Sequence, residues 1–376
     1  MTSFALPEYV EALEHLVNID SGSKNKKGAD TIADFFEERY KKLGLSVKRF
    51  YPSEYAGSCL EIRNKPDSDG IDLLMSGHMD TVFPDGTAAR RRFKVENGRA
   101  YGPGVLDMKA GLLSAYYLAA ALTESGSNIS FCVAHNSDEE ISSIYSRDWI
   151  SGLARHSRYG FILEPGRKNG EFVHQRKGLA KFRLEFRGIA SHAGVAPERG
   201  ASAVHEMSRW ITELVALNNY SAGTSLNAGT AAGGTVANTV AAYACCEIDT
   251  RFAVPEELEK IKAAVQKLSE NRFDQRVEVA SSISGYRPPM NPSKHTFELM
   301  RLVEEVGGSL GMTVKWVSTG GGSDGNLIAA EGCAVIDALG PCGDKSHSDD
   351  EYMILDTVEP RLELAFQAVK ALEARL

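Results

Sequence analysis

The sequence predicts an α/β fold, in which a mostly parallel sheet is flanked by helices and a smaller α+β unit is inserted. Short apolar segments alternate with amphipathic helical segments up to residue 177, and this alternation resumes after about residue 288. Strict alternation of apolar and polar residues begins near Gly178. Apolar strands separated by helices are typical of parallel sheets covered on both faces. We therefore expect one domain of residues 1–177 and 288–376, and a second of residues 178–287.

The first domain should begin with two helices. Val10, Leu13 and Val17 recur at helical spacing after Pro7, and a second amphipathic segment ends at Gly44. Proline favours a first helical turn, and glycine favours the residue that follows a helix. Five strand-like runs and one apolar helix then follow in this order: residues 45–51, 59–62, 71–75, the helix 112–122, 129–134 and 161–163.

The spacing of apolar residues changes in the inserted domain. Ala180, Phe182, Leu184 and Phe186 alternate with polar residues, as in a half-exposed strand. A helix, two strands, a second helix and a last strand should follow over residues 201–283. This β-α-β-β-α-β order is that of a ferredoxin-like unit. The prolines of residues 285–292 indicate a linker back to the first domain.

Composition restricts the class of partner. The chain has 376 residues, 43% hydrophobic and 24% charged, with a formal net charge of −8. An acidic globular protein is a poor match for nucleic acid or an anionic membrane. The cluster Arg90-Arg-Arg92 is a local exception, which we interpret as solvated loop charge.

The expected location is the cytoplasm. The first residues lack a basic region followed by a long apolar stretch, so no secretory signal is expected. We expect no apolar segment near the roughly 20 residues that cross a bilayer. The six cysteines show no C-x-x-C spacing and resemble small buried hydrophobic residues of a reducing compartment.

Metal-type ligands follow several of the apolar runs. Two imidazoles and several carboxylates are the ligand chemistry of a hydrolytic zinc site, especially one with two ions. The candidates are His78 with Asp80, Asp107, Glu139 and Glu140, Glu164, and His347. Because ligands bind beyond the carboxyl ends of parallel strands, the residues that follow strands should lie near one another. Of two adjacent carboxylates, one can bind metal and its neighbour can accept a proton.

Each candidate taken alone has an ordinary interpretation. His78 and His347 fit loop residues, Asp107 fits a helix cap or a turn, and Glu139-Glu140 fits an exposed acidic pair. Gly102-x-Gly104 resembles a nucleotide loop, but the third glycine of that fingerprint is missing. The ordered combination favours the metal site.

The motifs resemble those of the co-catalytic zinc metallopeptidase family that includes glutamate carboxypeptidase, acetylornithine deacetylase, succinyl-diaminopimelate desuccinylase and aminoacylase. The resemblance covers essentially the whole chain. It is carried by Gly77-His-Met-Asp-Thr81, Gly102-Pro-Gly-Val-Leu-Asp-Met-Lys109, Asp138-Glu-Glu140, Glu164-Pro165, Ser191-His192 and Thr319-Gly-Gly-Gly-Ser-Asp-Gly325.

The resemblance implies roles for these residues. One zinc ion would be held by His78 and Glu164, a second by Glu140 and His347, and Asp107 would bridge the two. Glu139 would be the general base and Asp80 the partner that orients His78. The Asp107–Met108 peptide bond would be cis. His192 would donate to the oxyanion, in this family often from the partner subunit.

The same resemblance implies a substrate-binding set and a fold. Asn238 and Arg251 would bind a substrate carboxylate, and the backbone of Gly321 and Gly322 would approach the substrate closely. The fold would be a zinc-exopeptidase-like catalytic domain with an inserted lid and dimerisation domain. Co²⁺ or Mn²⁺ can replace Zn²⁺ at a His–carboxylate site.

The leading hypothesis is a two-zinc hydrolase that cleaves an amide bond in a peptide or N-acyl amino acid with a free carboxylate. Deacylation of N-acetyl or N-succinyl amino acids is the nearest alternative. A catalytically silent dimerisation or binding module of the same fold is a second alternative, and loss of a ligand or of Glu139 would favour it. We expect a small-molecule substrate and a homodimer formed through the inserted domain.

Overall fold

The computed structural model describes residues 4–376. Residues 1–3, with which the first predicted domain begins, lie outside the described residues. The helices are α1 (Leu6–Val17), α2 (Lys26–Lys42), α3 (Thr87–Arg90), α4 (Ala110–Glu124), α5 (Arg147–Arg155), α6 (Ala203–Val215), α7 (Pro255–Glu270), α8 (Lys294–Ser309), α9 (Asp324–Ala330) and α10 (Val358–Glu373). The strands are β1 (Ser46–Phe50), β2 (Cys59–Arg63), β3 (Ile71–His78), β4 (Lys94–Glu96), β5 (Arg99–Tyr101), β6 (Phe131–Asn136), β7 (Ser157–Ile162), β8 (Phe172–Arg176), β9 (Gly178–Arg187), β10 (Ser225–Gly233), β11 (Tyr243–Phe252), β12 (Glu278–Arg287), β13 (Trp316–Thr319), β14 (Ala334–Ile336), β15 (Gly343–Asp344) and β16 (Tyr352–Ile354).

The chain forms two compact units. Of the described residues, unit 1 comprises 4–175, 290–319 and 323–376, and unit 2 comprises 176–289 and 320–322. The α/β fold class is confirmed, and its sheet has the strand order β1-β2-β6-β3-β7-β14. Strands β6, β3, β7 and β14 are parallel, whereas β1 and β2 pair antiparallel at one edge.

The core of unit 1 lies against this sheet. Strand β6 is buried along its whole length, and β3 has only Asp72 partly exposed. Such continuous burial is expected for parallel strands covered by helices on both faces. Helix α4 buries twelve of its fifteen residues, including Leu112, Leu113 and Leu118.

One expectation about apolar segments was wrong. Val105–Glu124 is long and apolar enough to cross a membrane by length and composition. Its most apolar stretch is, however, 89% buried inside the protein. The segment therefore belongs to the unit 1 core and consists of two parts, an irregular turn at Val105–Lys109, in which Asp107 and Met108 leave helical geometry, and the helix α4.

Unit 2 is a four-stranded sheet of order β10-β11-β9-β12 with α6 and α7 packed on it. All three strand pairs are antiparallel, as in the ferredoxin-like arrangement that the alternating pattern predicts. Phe182, Leu184 and Phe186 of β9 pack with Trp210 of α6 in one buried cluster. The predicted linker was wrong for its first three residues, because β12 continues through Arg287 and pairs with Leu179.

Candidate metal centre

Parallel strands bring three of the predicted residues to one edge of the unit 1 sheet. His78 ends β3 and lies opposite Asn136, the last residue of β6. The chain then turns to Glu139 and Glu140 in a short 3₁₀ segment, Glu139–Ile141. Glu164 follows β7, which pairs with the other side of β3. The carboxyl ends of adjacent parallel strands thus gather His78, Glu140 and Glu164.

Asp107 and His347 reach the same place from loops. Asp107 Oδ1 lies 3.3 Å from His78 Nε2, and Asp107 Oδ2 lies 3.2 Å from His347 Nε2. The Asp107–Met108 peptide bond is cis, as the resemblance implies. His347 has a positive φ of 64°, so its loop departs from any regular element there.

The carboxylates of Glu164 and Glu140 each lie near a different imidazole. Glu164 Oε1 lies 3.6 Å from His78 Nε2, and Glu140 Oε2 lies 3.4 Å from His347 Nε2. The side chains therefore form two triads, each with one histidine and one glutamate, and both contain Asp107. The two triads use different oxygens of Asp107.

These distances fit ligands of a metal ion. Two atoms bound to one zinc ion at about 2.0–2.1 Å and at a tetrahedral angle lie about 3.4 Å apart. A direct ion pair between imidazolium and carboxylate would instead have an N···O distance of about 2.7–2.9 Å. The four observed separations, 3.2–3.6 Å, match the first geometry.

The environment of the cluster also favours a cation. Oε1 of Glu140 is buried without a hydrogen-bond partner among residues 4–376. A buried acceptor of this kind costs free energy unless something pairs with it. His78, Asp107 and Glu140 each offer a ligand atom within 4.8 Å of one another. The residues present therefore fit a divalent cation.

The neighbouring carboxylates raise the pKa of both imidazoles when no metal is bound. Hydrogen bonding to Asp107 and then Glu140 raises the pKa of His347 to about 11. Burial opposes protonation of His78, but Asp107 and Asp80 outweigh it and raise its pKa well above the ordinary value. Burial raises the pKa of Asp107, but His347 and His78 outweigh it and hold that pKa far below its usual range. The acidic cluster is thus strongly attractive to positive charge.

Asp80 contacts His78 and accepts hydrogen bonds from the backbone of Glu139 and Glu140. His78 Nδ1 lies 2.9 Å from the carbonyl oxygen of Asp80 and 3.3 Å from its carboxylate Oδ1. Acceptors at Nδ1 leave Nε2 free to bind metal. The same carboxylate accepts the backbone N–H groups of Glu139 and Glu140, each at 3.1 Å. Asp80 therefore positions both the histidine and the glutamate pair.

Two residues of this site have no signal in the sequence pattern. Ser23 Oγ donates to Asp80 Oδ2 at 2.6 Å from the segment between α1 and α2. Glu351 is fully buried and accepts the backbone N–H groups of Gly104, Leu106 and Asp107 at 3.0, 2.8 and 2.9 Å. Glu351 follows His347 by four residues, so it connects the loop of one candidate ligand to the backbone of another, Asp107. Burial raises the pKa of Glu351 to about 7.

Glu351→Gln should weaken metal binding by about 10- to 100-fold, the usual effect of removing a residue that orients ligands. The amide group presents an N–H to backbone donors and therefore leaves at least one of the three unpaired. Competition with a chelator measures the affinity, and Glu359→Gln on the exposed start of α10 is the matched control. Unchanged metal affinity in Glu351→Gln would contradict the positioning role.

The interpretation of Arg90–Arg92 as solvated charge was wrong for Arg91. Its guanidinium lies 5.0 Å from the centre of the Phe83 ring and 3.2 Å from Asp349, and it donates to the carbonyl of Ser348. Arg91 therefore connects the loop that follows His78 to the loop that carries His347.

The other predicted residues lie in unit 2, in two groups. His192 and Asn238 lie on adjoining segments, since the N–H of Ala193 donates to the carbonyl of Asn238. His192 is exposed, and its Nδ1 accepts the N–H of Gly194. These side chains are open to a ligand.

The second group surrounds the glycine loop. Arg251 donates through Nε and Nη2 to the Asp249 carboxylate and through Nη1 to the carbonyl of Gly320. Gly321 accepts from Arg176 at 3.2 Å. A Cβ on Gly322 would lie 2.9 Å from Leu179, so this glycine permits close packing as well as any approach by a ligand.

Comparison with known proteins agrees with this geometry. Residues 74–371 match the model of peptidase family M20/M25/M40. The chain is 31% identical to carboxypeptidase G2 of Pseudomonas sp. (strain RS-16), over 98% of this chain and 90% of that protein. It is 26% identical to succinyl-diaminopimelate desuccinylase of Hydrogenovibrio crunogenus, over 94% and 96% of the two chains.

The fold is shared with solved structures of the same type. An M20 family metallo-carboxypeptidase from Sulfolobus solfataricus superposes with a TM-score of 0.77 at 17% identity, covering 98% of this chain and 99% of that one. The clustered histidines and carboxylates, the family match and the full-length relative together decide the class. The chain belongs to peptidase family M20/M25/M40 and is a metallohydrolase.

Proposed function

We propose that this enzyme hydrolyses the amide bond of a peptide or N-acyl amino acid with a free carboxylate, using two zinc ions. The observation that carries the proposal is Asp107, whose two carboxylate oxygens lie 3.2–3.3 Å from the imidazoles of two different histidine–glutamate pairs. Sharing one carboxylate between two ions is the simplest use of that arrangement. Co²⁺ or Mn²⁺ fits the same ligands. Activity assays of the protein loaded with each ion in turn compare the three metals.

The bound cations would supply Lewis acidity, which polarises a carbonyl and lowers the pKa of bound water from 15.7 to about 7. The chain's residues perform the remaining work. Glu139 is assigned as general base because its neighbour Glu140 belongs to the ligand set, and Asp80 holds the backbone of both. Exposed His192 is assigned as a donor to the oxyanion.

Recognition of the substrate carboxylate is assigned to Asn238 and Arg251. Asp249 holds the guanidinium of Arg251 by two nitrogens, at 2.7 and 3.0 Å, and so fixes its orientation. An oriented guanidinium binds a carboxylate with less loss of side-chain entropy than a free one. The backbone of Gly321 and Gly322 is assigned to the same task.

Arg251→Ala should raise KM for a substrate with a free carboxylate by about 10- to 100-fold, because hydrogen bonds to charged groups contribute about 1.5–3 kcal/mol. The control is the same substrate with the carboxylate converted to a carboxamide, for which the change should be small. Equal changes for both substrates would remove Arg251 from carboxylate recognition.

Deacylation of N-acetyl or N-succinyl amino acids is the second candidate, favoured by the 26% identity to a succinyl-diaminopimelate desuccinylase. A hydrolysis screen of the zinc-loaded protein separates the two. It should contain peptides with a C-terminal glutamate, N-acetyl and N-succinyl amino acids, and β-alanyl dipeptides. Hydrolysis of none of these amides would contradict the proposed function.

We also propose a cytoplasmic homodimer. All six cysteines are free, as expected in a reducing compartment. In unit 2, β10 is an edge strand, exposed from Thr230 to Gly233, and unpaired edges favour pairing with another chain. Sedimentation equilibrium gives the molecular mass of the native protein and of a variant in which a short linker replaces residues 178–287. A dimeric native protein and a monomeric variant would show that the inserted unit forms the dimer.

A further inference from the structure

A cleft of about 500 Å³ lies beside the cluster of candidate metal ligands within unit 1. One wall is the segment from Gly22 to Asn25, and the other is the loop from Thr81 to Asp85 that directly follows His78 and Asp80. Glu140 and Ile141 complete the lining. Because Glu140 belongs to the proposed ligand set, the cleft adjoins the place where the scissile carbonyl would bind.

The lining of the cleft is mainly apolar. Val82, Phe83, Pro84 and Ile141 supply this surface, and Val82 is 42% exposed although it is a large aliphatic residue. Substrate pockets are typically apolar clefts of roughly 300–1,000 Å³ with a few polar groups. The size and lining of this cleft fit that description.

The walls are fixed by hydrogen bonds rather than left as mobile loops. Asn25 Nδ2 donates to Asp85 Oδ1 at 2.7 Å across the cleft. The carboxylate of Asp20 accepts the N–H groups of Gly86 and Ala88 at 2.7 and 2.8 Å. The Phe83 ring is covered by the guanidinium of Arg91, which is itself held by Asp349. A pre-formed apolar wall binds a ligand without first having to become ordered.

The charges of the cleft decide which part of a substrate it accepts. Once Glu140 serves as a metal ligand, Lys24 and Asp85 are the charged side chains left among the lining residues, and their charges cancel. The free carboxylate of an amino-acid substrate would find no surplus positive charge there to pair with. An uncharged apolar group would meet Val82, Phe83, Pro84 and Ile141 instead.

We infer that this cleft binds the acyl group on the carbonyl side of the scissile amide and selects apolar acyl groups over anionic ones. The inference rests on the proposed amide hydrolase function and adds its substrate class. Burying an acyl chain against the apolar wall contributes about 0.8 kcal/mol per CH₂ group. Val82 is the residue through which the cleft sets this selectivity.

The test uses zinc-loaded Glu139→Gln protein, so that binding is measured without turnover. Isothermal calorimetry with N-acetyl-, N-butanoyl-, N-hexanoyl- and N-succinylglutamate gives the affinities. Affinity should rise about fourfold for each added CH₂, the equivalent of about 0.8 kcal/mol. N-succinylglutamate should bind more weakly than N-butanoylglutamate.

A second protein, with Val82→Asp added, should lower the ratio of hexanoyl to acetyl affinity by at least about tenfold. Val95→Asp, at a similarly exposed valine of β4, is the control and should keep the ratio. Affinity independent of chain length, tighter binding of the succinyl compound, or an equal effect of both substitutions would overturn the inference. A different outcome is that affinity rises with chain length in Glu139→Gln while the native enzyme hydrolyses none of these compounds. That outcome would support the assignment of the cleft and contradict the proposed function.

Discussion

Replacing Glu139 with glutamine should lower kcat by about 10³-fold while the protein keeps its bound metal. A positioned general base contributes about 10²- to 10⁴-fold to the rate of proton transfer steps, and an amide cannot accept the proton. Glutamine has the size of glutamate, and the backbone N–H of residue 139 still donates to Asp80. Steady-state kinetics and elemental analysis of the same preparation measure the two effects.

The adjacent residue is the matched control for that experiment. Glu140 Oε2 lies 3.4 Å from His347 Nε2, so Glu140→Gln removes a proposed ligand and should release one ion. Activity of Glu139→Gln close to that of the native enzyme would exclude it as the base. Loss of metal from Glu139→Gln, with retention by Glu140→Gln, would mean that the two roles are reversed.

Asp107→Asn should weaken the binding of both ions, by more than about 100-fold each. Asp107 approaches both His78 and His347, through different oxygens. Asparagine has the shape of aspartate, but it offers a single oxygen ligand and carries no negative charge. In this buried cluster, the positive charge of each ion would then be less well compensated. A chelator titration followed by elemental analysis gives the two affinities.

Asp356→Asn, at an exposed aspartate, controls for the general loss of one negative charge. If Asp107→Asn loses a single ion and holds the other with native affinity, Asp107 binds one ion only. The bridging assignment would then be replaced by two separate sites.

The positions of the candidate ligands at strand ends could be predicted from the sequence. His78 and Glu164 each follow a run of buried apolar residues, and parallel strands place their carboxyl ends along one edge. The ferredoxin-like order of unit 2 was equally accessible, because strict alternation in β9 and amphipathic α6 and α7 define it locally. The spacing of apolar residues therefore predicted the strands and helices that position the site.

The supporting residues could not be predicted in this way. Ser23 and Glu351 act through hydrogen bonds to partners 57 and 244–247 positions away, and nothing in their neighbouring residues marks them. His347 lies in a loop with positive φ, where apolar periodicity carries no information. Arg91 looked like solvated charge because its partners, Phe83 and Asp349, become neighbours only in the folded chain.

The number of metal ions bound per chain tests the two-ion account most directly. The protein should be stripped with a chelator, titrated with Zn²⁺ and analysed for zinc and protein in the same sample. Two equivalents per chain are predicted for the native protein, one for Glu164→Gln and one for Glu140→Gln, because each glutamate approaches a different histidine. A single equivalent in the native protein would contradict the account.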